Sequence, residues 1–280
     1  MDPDQLRAEQ QERWQRAAAG WGRRAGRLRE MSLPVSEWMV QQLSLQPGQT
    51  VLELAAGPGD TGFLAAARIA PGNLISSDAS EAMLELARAR AQEQGVENVE
   101  FKRLQLEWID LPAARVDAVL CRWGIMLVVD PAAAASEIRR VLRPGGRAAL
   151  AVWDVPERNP WATIPNRALV ELGHAEPPDP SQPGMFALAA PGSLTELLQS
   201  AGFVEVFTDA VDVDHDYPNV EEYIAETLDC SRMFSDAWER LTEDERSRLW
   251  ESIASGAAEY RAGDGSLHLP GRSLVAAASA

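Results

Sequence analysis

Two glycines, two carboxylates and a short apolar run carry the most specific chemistry in this 280-residue chain. Thr50-Val51-Leu52-Glu53-Leu54 runs into Ala55-Ala56-Gly57-Pro58-Gly59-Asp60-Thr61-Gly62. Gly57 and Gly59 permit a sharp turn and the close passage of a ligand, which a Cβ would obstruct. The free backbone N–H groups of a helix that starts there attract a carboxylate or a phosphate. Asp78 closes the next apolar run, where an acid accepts hydrogen bonds from ribose hydroxyls. Together these residues point to a nucleoside-containing cofactor. Read as G-x-G-x-x-G, Gly57, Gly59 and Gly62 also fit the fingerprint of nicotinamide dinucleotides, so the loop alone leaves two cofactor classes open.

The elements that must position this loop alternate in type. Apolar runs at 50–54, 73–77, 99–104, 116–121 and 147–153 read as strands, bounded by Pro-Gly, Gly-Pro-Gly and Pro-Gly-Gly punctuation. Between them lie helical stretches, one with Ser80 as N-cap and Gly95 as its stop. Strands alternating with helices form right-handed crossovers and a parallel sheet covered on both faces, a doubly wound α/β fold. Residues 1–46 read as helices, with a second amphipathic stretch after Pro34. The expected organisation is an N-terminal helical lid over 1–46 and a cofactor-binding core over 47–154. An irregular, proline-rich cap at 155–192 and the final core strands in 193–280 complete it, with a helical insertion at 216–266.

Three ordered motifs sharpen the reading of the loop. Val51–Gly59 matches V-L-(D/E)-L-x-x-G-x-G, Asp78 is the acid closing the second strand, and Arg140-Val141-Leu142-Arg143-Pro144-Gly145-Gly146 matches R-V-L-(R/K)-P-G-G. In these the chain resembles class I S-adenosylmethionine-dependent methyltransferases. Gly192–Gly202 followed by Phe203-Val204-Glu205-Val206 is more loosely similar to the ubiquinone/menaquinone-biosynthesis type, which acts on small molecules. The resemblance implies a Rossmann-like, mostly parallel seven-stranded sheet with an antiparallel last strand, carrying helical cap insertions. It implies S-adenosyl-L-methionine as cofactor, S-adenosyl-L-homocysteine as product, and no metal. Glu53 would orient the loop near the methionine amine, with Ala55, Gly57, Pro58, Gly59 and Thr61 around the methionine part. Asp78 would hold the ribose, and Ala79 and Met83 would flank the adenine. Gln105, Leu106 and Glu107 stand where the family places its adenine N6 contact, and Cys121 would face the cofactor through its backbone.

Methyl transfer is an in-line displacement accelerated chiefly by placing acceptor and methyl together. Acceptors in such sheets lie beyond the carboxyl ends of the strands, an edge that carries Arg122, Trp123 and Met126 after the fourth strand and Trp153 at the end of the fifth. With Trp14, Trp21 and Trp161 these could wall an aromatic pocket or a box for a sulfonium. Arg122 could clamp an acidic substrate or pair with an internal carboxylate. His215, set among Asp212, Asp214 and Asp216, is a candidate general base with a raised pKa; His174 and His268 read as a helix-end and an exposed residue. The expected reaction is O- or C-methylation of a small aromatic or lipophilic metabolite. The rivals are an NAD(P)-dependent oxidoreductase, in which no Tyr-x-x-x-Lys pair is found, and a relative that binds the cofactor without methylating.

Composition narrows the partners. The net charge of −16 disfavours nucleic acid and anionic membranes. Arg7, Arg13, Arg16, Arg23, Arg24, Arg27 and Arg29 make residues 1–30 slightly basic, while 205–245 are rich in acids. The arm could therefore steer an anion or dock on that acidic segment, and residues 1–30 are expected to close over the cofactor. Cys121 and Cys230 form no C-x-x-C pair. No apolar run reaches the roughly 18 residues of a membrane span, and the N-terminus is too polar for a signal peptide, so a cytoplasmic protein acting on a small-molecule acceptor is expected. The oligomeric state is left open.

Overall fold

The computed structural model describes residues 2–179 and 182–280. Its helices are Pro3–Gln42 (α1), Asp60–Ile69 (α2), Glu81–Gln94 (α3), Pro131–Val141 (α4), Pro160–Glu171 (α5), Ser193–Ser200 (α6), Val220–Cys230 (α7), Arg232–Arg240 (α8) and Glu243–Gly256 (α9). Its strands are Thr50–Leu54 (β1), Asn73–Asp78 (β2), Val99–Arg103 (β3), Val116–Arg122 (β4), Leu142–Trp153 (β5), Val204–Asp212 (β6), His215–Tyr217 (β7), Leu267–Leu269 (β8) and Arg272–Ser279 (β9).

Seven strands form one sheet in the order β3-β2-β1-β4-β5-β9-β6. β1 to β5 pair in parallel, and β9 runs antiparallel between β5 and β6. The doubly wound sheet with an antiparallel last strand is thus the observed fold. Strand order reverses between β1 and β4, and the crevice at the carboxyl end of that pair is where ligands bind in such sheets. The central strands are apolar on both faces, as burial beneath two helix layers requires. Around Pro144-Gly145-Gly146, expected as a plain helix stop, the ladder continues through a register break, with Val116 opposite Leu142 and Ala118 opposite Arg147.

A second apolar cluster, including Ile164, Tyr223, Phe234, Ile253 and Leu267, joins α5 to the helices between β7 and β8. The short β7–β8 ribbon closes it. Sequence alternation does not reveal that ribbon, because three residues are too few to show a period of two. His215 opens β7.

The largest departure is α1. The expected break at Pro34 is absent, and one 40-residue helix runs through it. Proline removes one i→i−4 hydrogen bond and would ordinarily break a helix. Here both halves are anchored by packing. Val35, Met39 and Val40 enter the sheet core, while Ala17 and Ala18 lie against Met83 of α3. Gly20 meets the main chain of α7 so closely that a Cβ would stand 1.9 Å from the Asp229 carbonyl oxygen. The basic face of α1 docks on the acidic segment: Arg16 on Asp236, Arg23 and Arg24 on Asp229, and Arg27 on Glu226.

Candidate functional site

The loop after β1 is shaped by left-handed backbone. Ala55, Gly57 and Gly59 have φ of 49°, 52° and 86°, and glycine adopts this region without a Cβ penalty. A Cβ on Gly57 would meet nothing within 4 Å, so open space faces the loop there. On Gly59 it would strike the Phe63 ring at 2.5 Å. One glycine therefore leaves room for a ligand, and the other lets α2 pack.

Two carboxylates hold the loop from opposite sides. Glu53 Oε1 accepts the Gly62 N–H at 2.6 Å, and Oε2 accepts the Ser76 hydroxyl at 3.0 Å. Burial pushes its pKa up to about 7 against those two hydrogen bonds. Asp78 Oδ2 accepts the Gly57 N–H at 3.0 Å and Oδ1 the Ser80 N–H at 2.9 Å. Burial raises its pKa as well. Each Asp78 oxygen keeps lone-pair capacity for a second donor, as a pair of vicinal ribose hydroxyls would offer. Asp60 opens α2 and pairs with Arg90 at 2.6 Å. The open glycine face and Asp78 fit a nucleoside-containing cofactor.

Beyond Asp78, the Met83 side chain is buried beneath α1, and Gln15 accepts the Ser80 hydroxyl and the Ala82 N–H. Ala79 lies between Asp78 and this contact, its carbonyl accepting from Arg103 at 3.2 Å. Leu106 is a core residue. Gln105 is exposed, and its carbonyl accepts the Trp108 N–H. The Glu107 carboxylate, placed on the adenine by sequence position, is engaged by Arg7 at 2.8 Å and by the Asp130 N–H. Cys121 is fully buried, burial pushing its thiol up to about 12, so its backbone is what it can offer.

β4 ends in Arg122, and Trp123 follows it. Trp123 has a φ of 59° and donates its indole N–H to the Ser273 hydroxyl at 3.0 Å. Its ring stacks on Trp153 at 4.2 Å, Trp153 meets Trp161 edge-on at 5.0 Å, and Trp161 stacks on His215 at 4.0 Å. The Arg122 guanidinium lies over the Trp123 ring, 4.6 Å from its centroid. Met126 packs into the core beside this wall.

Two expectations are corrected. Trp14 and Trp21 do not join the Trp123 wall. They pack edge-on to each other against α3, and Trp21 donates to the Cys230 carbonyl, because the unbroken α1 carries them there. His215 is not a raised, acid-flanked base. It is 1 % exposed with neither ring nitrogen hydrogen-bonded, and burial together with nearby Arg27 drives its pKa down to about 3. Its neighbours Asp214 and Asp216 point outward, since side chains alternate along an extended segment, and Asp216 instead meets the exposed His268 at 2.7 Å.

Sequence reading missed Asn159. Its amide nitrogen donates to the Asp154 carbonyl, and its oxygen accepts from Trp161 Nε1 and the Arg272 N–H. It therefore ties the aromatic wall to β5 and β9. Asn-Pro before a helix signals an N-cap, yet Asn159 makes no side-chain cap bond to α5.

A seven-stranded sheet with a glycine loop at its switch point and an acid closing β2 defines a nucleoside-cofactor enzyme of the Rossmann-like class. Residues 51–146 match a methyltransferase domain family. Over 244 residues the chain is 28 % identical to nocamycin O-methyltransferase of Saccharothrix syringae, covering 84 % of this chain and 86 % of that protein. It is 31 % identical over 144 residues to a ubiquinone/menaquinone biosynthesis C-methyltransferase of Coxiella burnetii, covering 48 % of this chain and 56 % of that one. The fold is shared with the YcgJ protein from Bacillus subtilis, at a TM-score of 0.60 and 18 % identity over 87 % of this chain and 97 % of that one. Residues 51–146 thus carry a methyltransferase domain, and the likeness to an S. syringae O-methyltransferase extends over most of the chain.

Proposed function

We propose that this methyltransferase transfers the methyl group to an oxygen or carbon atom of a small, flat, largely apolar acceptor. The observation that carries this reading is the stacked cluster of Trp123 and Trp153, at the carboxyl ends of β4 and β5, with Trp161 of α5. S-adenosylmethionine, when bound, supplies an electrophilic methyl on a sulfonium. Asp78 would hold its ribose, Gly57 and Gly59 would let the loop pass under its methionine half, and Glu53 would keep the loop in place. Trp123 and Trp153, with Met126 behind them, would orient the acceptor and exclude water, which is where positioning supplies rate. A neutral His215 at the far end of the wall would face the acceptor as a hydrogen-bond partner. With a pKa near 3 it would be a feeble base at neutral pH. The amino half of α1, which covers Met83 and holds Ser80 through Gln15, would act as a cover over the cofactor.

Thermal unfolding with S-adenosylmethionine, S-adenosylhomocysteine, NAD(H) and NADP(H) side by side tests the cofactor. A ligand at about 100 times its Kd adds about 2.7 kcal/mol. The adenosyl compounds alone should raise the midpoint, and Asp78→Ala should abolish the rise. A rise with a nicotinamide alone would reject the reading. Formation of S-adenosylhomocysteine with phenols, enols and quinols, and not with polar aliphatic amines, supports the acceptor class.

A further inference from the structure

Arg122 makes no ion pair among the described residues. No described carboxylate oxygen lies within 4.0 Å of its guanidinium, whereas Arg16, Arg23, Arg24 and Arg27 on α1 each meet an acid. Burial lowers its pKa from the ordinary value, although a guanidinium remains charged. Arg122 is half-buried, and its terminal nitrogens stay open to solvent or to a ligand.

The geometry says which way the free face points. Arg122 Nε donates to Thr61 Oγ1 at 2.8 Å, and that hydroxyl is 2.9 Å from Ser36 Oγ of α1. Thr61 belongs to the first turn of α2, directly after the glycine loop. The Trp123 ring covers a face of the guanidinium. The terminal nitrogens make no hydrogen bond among the described residues, so the fork is held at its root and open at its tip. The acids whose field it feels, Asp60 and Glu53, are both committed, to Arg90 and to Gly62 with Ser76. Arg122 thus leans on the loop, while the aromatic wall runs from Trp123 toward the cap.

We propose that Arg122 receives the carboxylate of the cofactor's methionine half, an inference that rests on the S-adenosylmethionine reading of this site. That zwitterion brings a carboxylate to the loop, where Glu53 and Asp60 already have their own partners. Arg122 supplies the missing charge, and its planar fork suits a bidentate carboxylate contact that a lysine does not reproduce. It is a binding residue of the loop side, not a clamp for an acidic acceptor.

Calorimetric titration with S-adenosylhomocysteine and with 5′-methylthioadenosine isolates the contact, because the second compound keeps the adenine, ribose and sulfur and lacks the amino acid. Wild type should bind S-adenosylhomocysteine the more tightly. Arg122→Met should weaken that ligand by about tenfold or more, the loss of one charged contact. The same variant should leave 5′-methylthioadenosine binding unchanged, and Arg122→Lys should restore part of the loss. Thr61→Val, which keeps the guanidinium and removes its anchor, should narrow the gap between the two ligands by a smaller factor, and gives the answer if Arg122→Met does not fold. Unchanged S-adenosylhomocysteine affinity in the arginine variant overturns the proposal, as does an equal loss of both ligands or an unaltered gap in Thr61→Val. Failure of wild type to bind either adenosyl compound would be a different result, rejecting the cofactor reading itself.

Discussion

Glu53 and His215 are buried groups pushed in opposite directions, and both shifts make stability depend on pH. Glu53 has a pKa near 7 in the fold against an ordinary carboxylate value of 4.5. Between those values the folded state holds the extra proton, so stability falls as pH rises from about 4.5 to 7. His215 titrates near 3 in the fold against 6.5 ordinarily. There the unfolded state holds the extra proton, so its contribution is full above about 6.5 and is lost as pH falls toward 3. The two slopes oppose each other over the shared window. Glu53→Gln, which can still accept from Gly62 and reach Ser76, should remove the decline on the neutral side. His215→Phe should remove the loss on the acid side. Urea unfolding across pH 4–8, with both slopes unchanged in the variants, would refute these assignments. Asp78→Ala carries a further cost, because the Gly57 and Ser80 N–H groups lose a charged acceptor, worth about 1.5–3 kcal/mol each.

At the scale of elements, α1 decides how the cap sits on the sheet. Three glycines within it test the packing, since glycine in a helix interior costs about 1 kcal/mol relative to alanine. A Cβ on Gly26 meets nothing within 4 Å, so Gly26→Ala should stabilise by roughly that amount. On Gly22 the nearest atom is the end of Leu86 at 3.3 Å, which can give way. On Gly20 it is main chain of α7 at 1.9 Å, so Gly20→Ala should destabilise by about 1–3 kcal/mol, a drop of several degrees in Tm. Thermal unfolding of the three variants should rank Gly26→Ala highest and Gly20→Ala lowest. Equal midpoints would show that α1 does not press on α7 in solution. The glycines themselves are plain in the sequence. Their different surroundings are not, because each is set by a partner distant along the chain.

For the whole molecule, α1 joins three bodies: the sheet core through Val35 and Met39, α3 through Ala17 and Ala18, and the acidic helices through its arginines. Removing residues 2–28 should leave the sheet folded, because Val35, Met39 and Val40 remain. It should strip the cover from Met83 and Ser80 and free the cap acids. S-adenosylhomocysteine should then dissociate faster and bind more weakly, read by stopped-flow displacement. Unchanged release and unchanged turnover would remove the covering role.

The local grammar of the chain determined the cofactor half of this protein. Apolar runs between Pro-Gly signals, a glycine loop after β1 and an acid closing β2 are short-range features, and crossover handedness makes a parallel sheet their natural outcome. Tertiary structure decided the rest. Pro34 lies inside a helix because packing on both sides outweighs one lost hydrogen bond. Trp14 and Trp21 leave the aromatic wall because that helix never breaks. His215 becomes a neutral, unpartnered ring because alternation along β7 turns its acidic neighbours outward and Arg27 approaches from α1. Arg122, legible only as a cation after β4, is left without a carboxylate because Glu53 and Asp60 are already held by other partners. Each is a contact between residues far apart in the chain, which pattern and propensity do not encode and burial does.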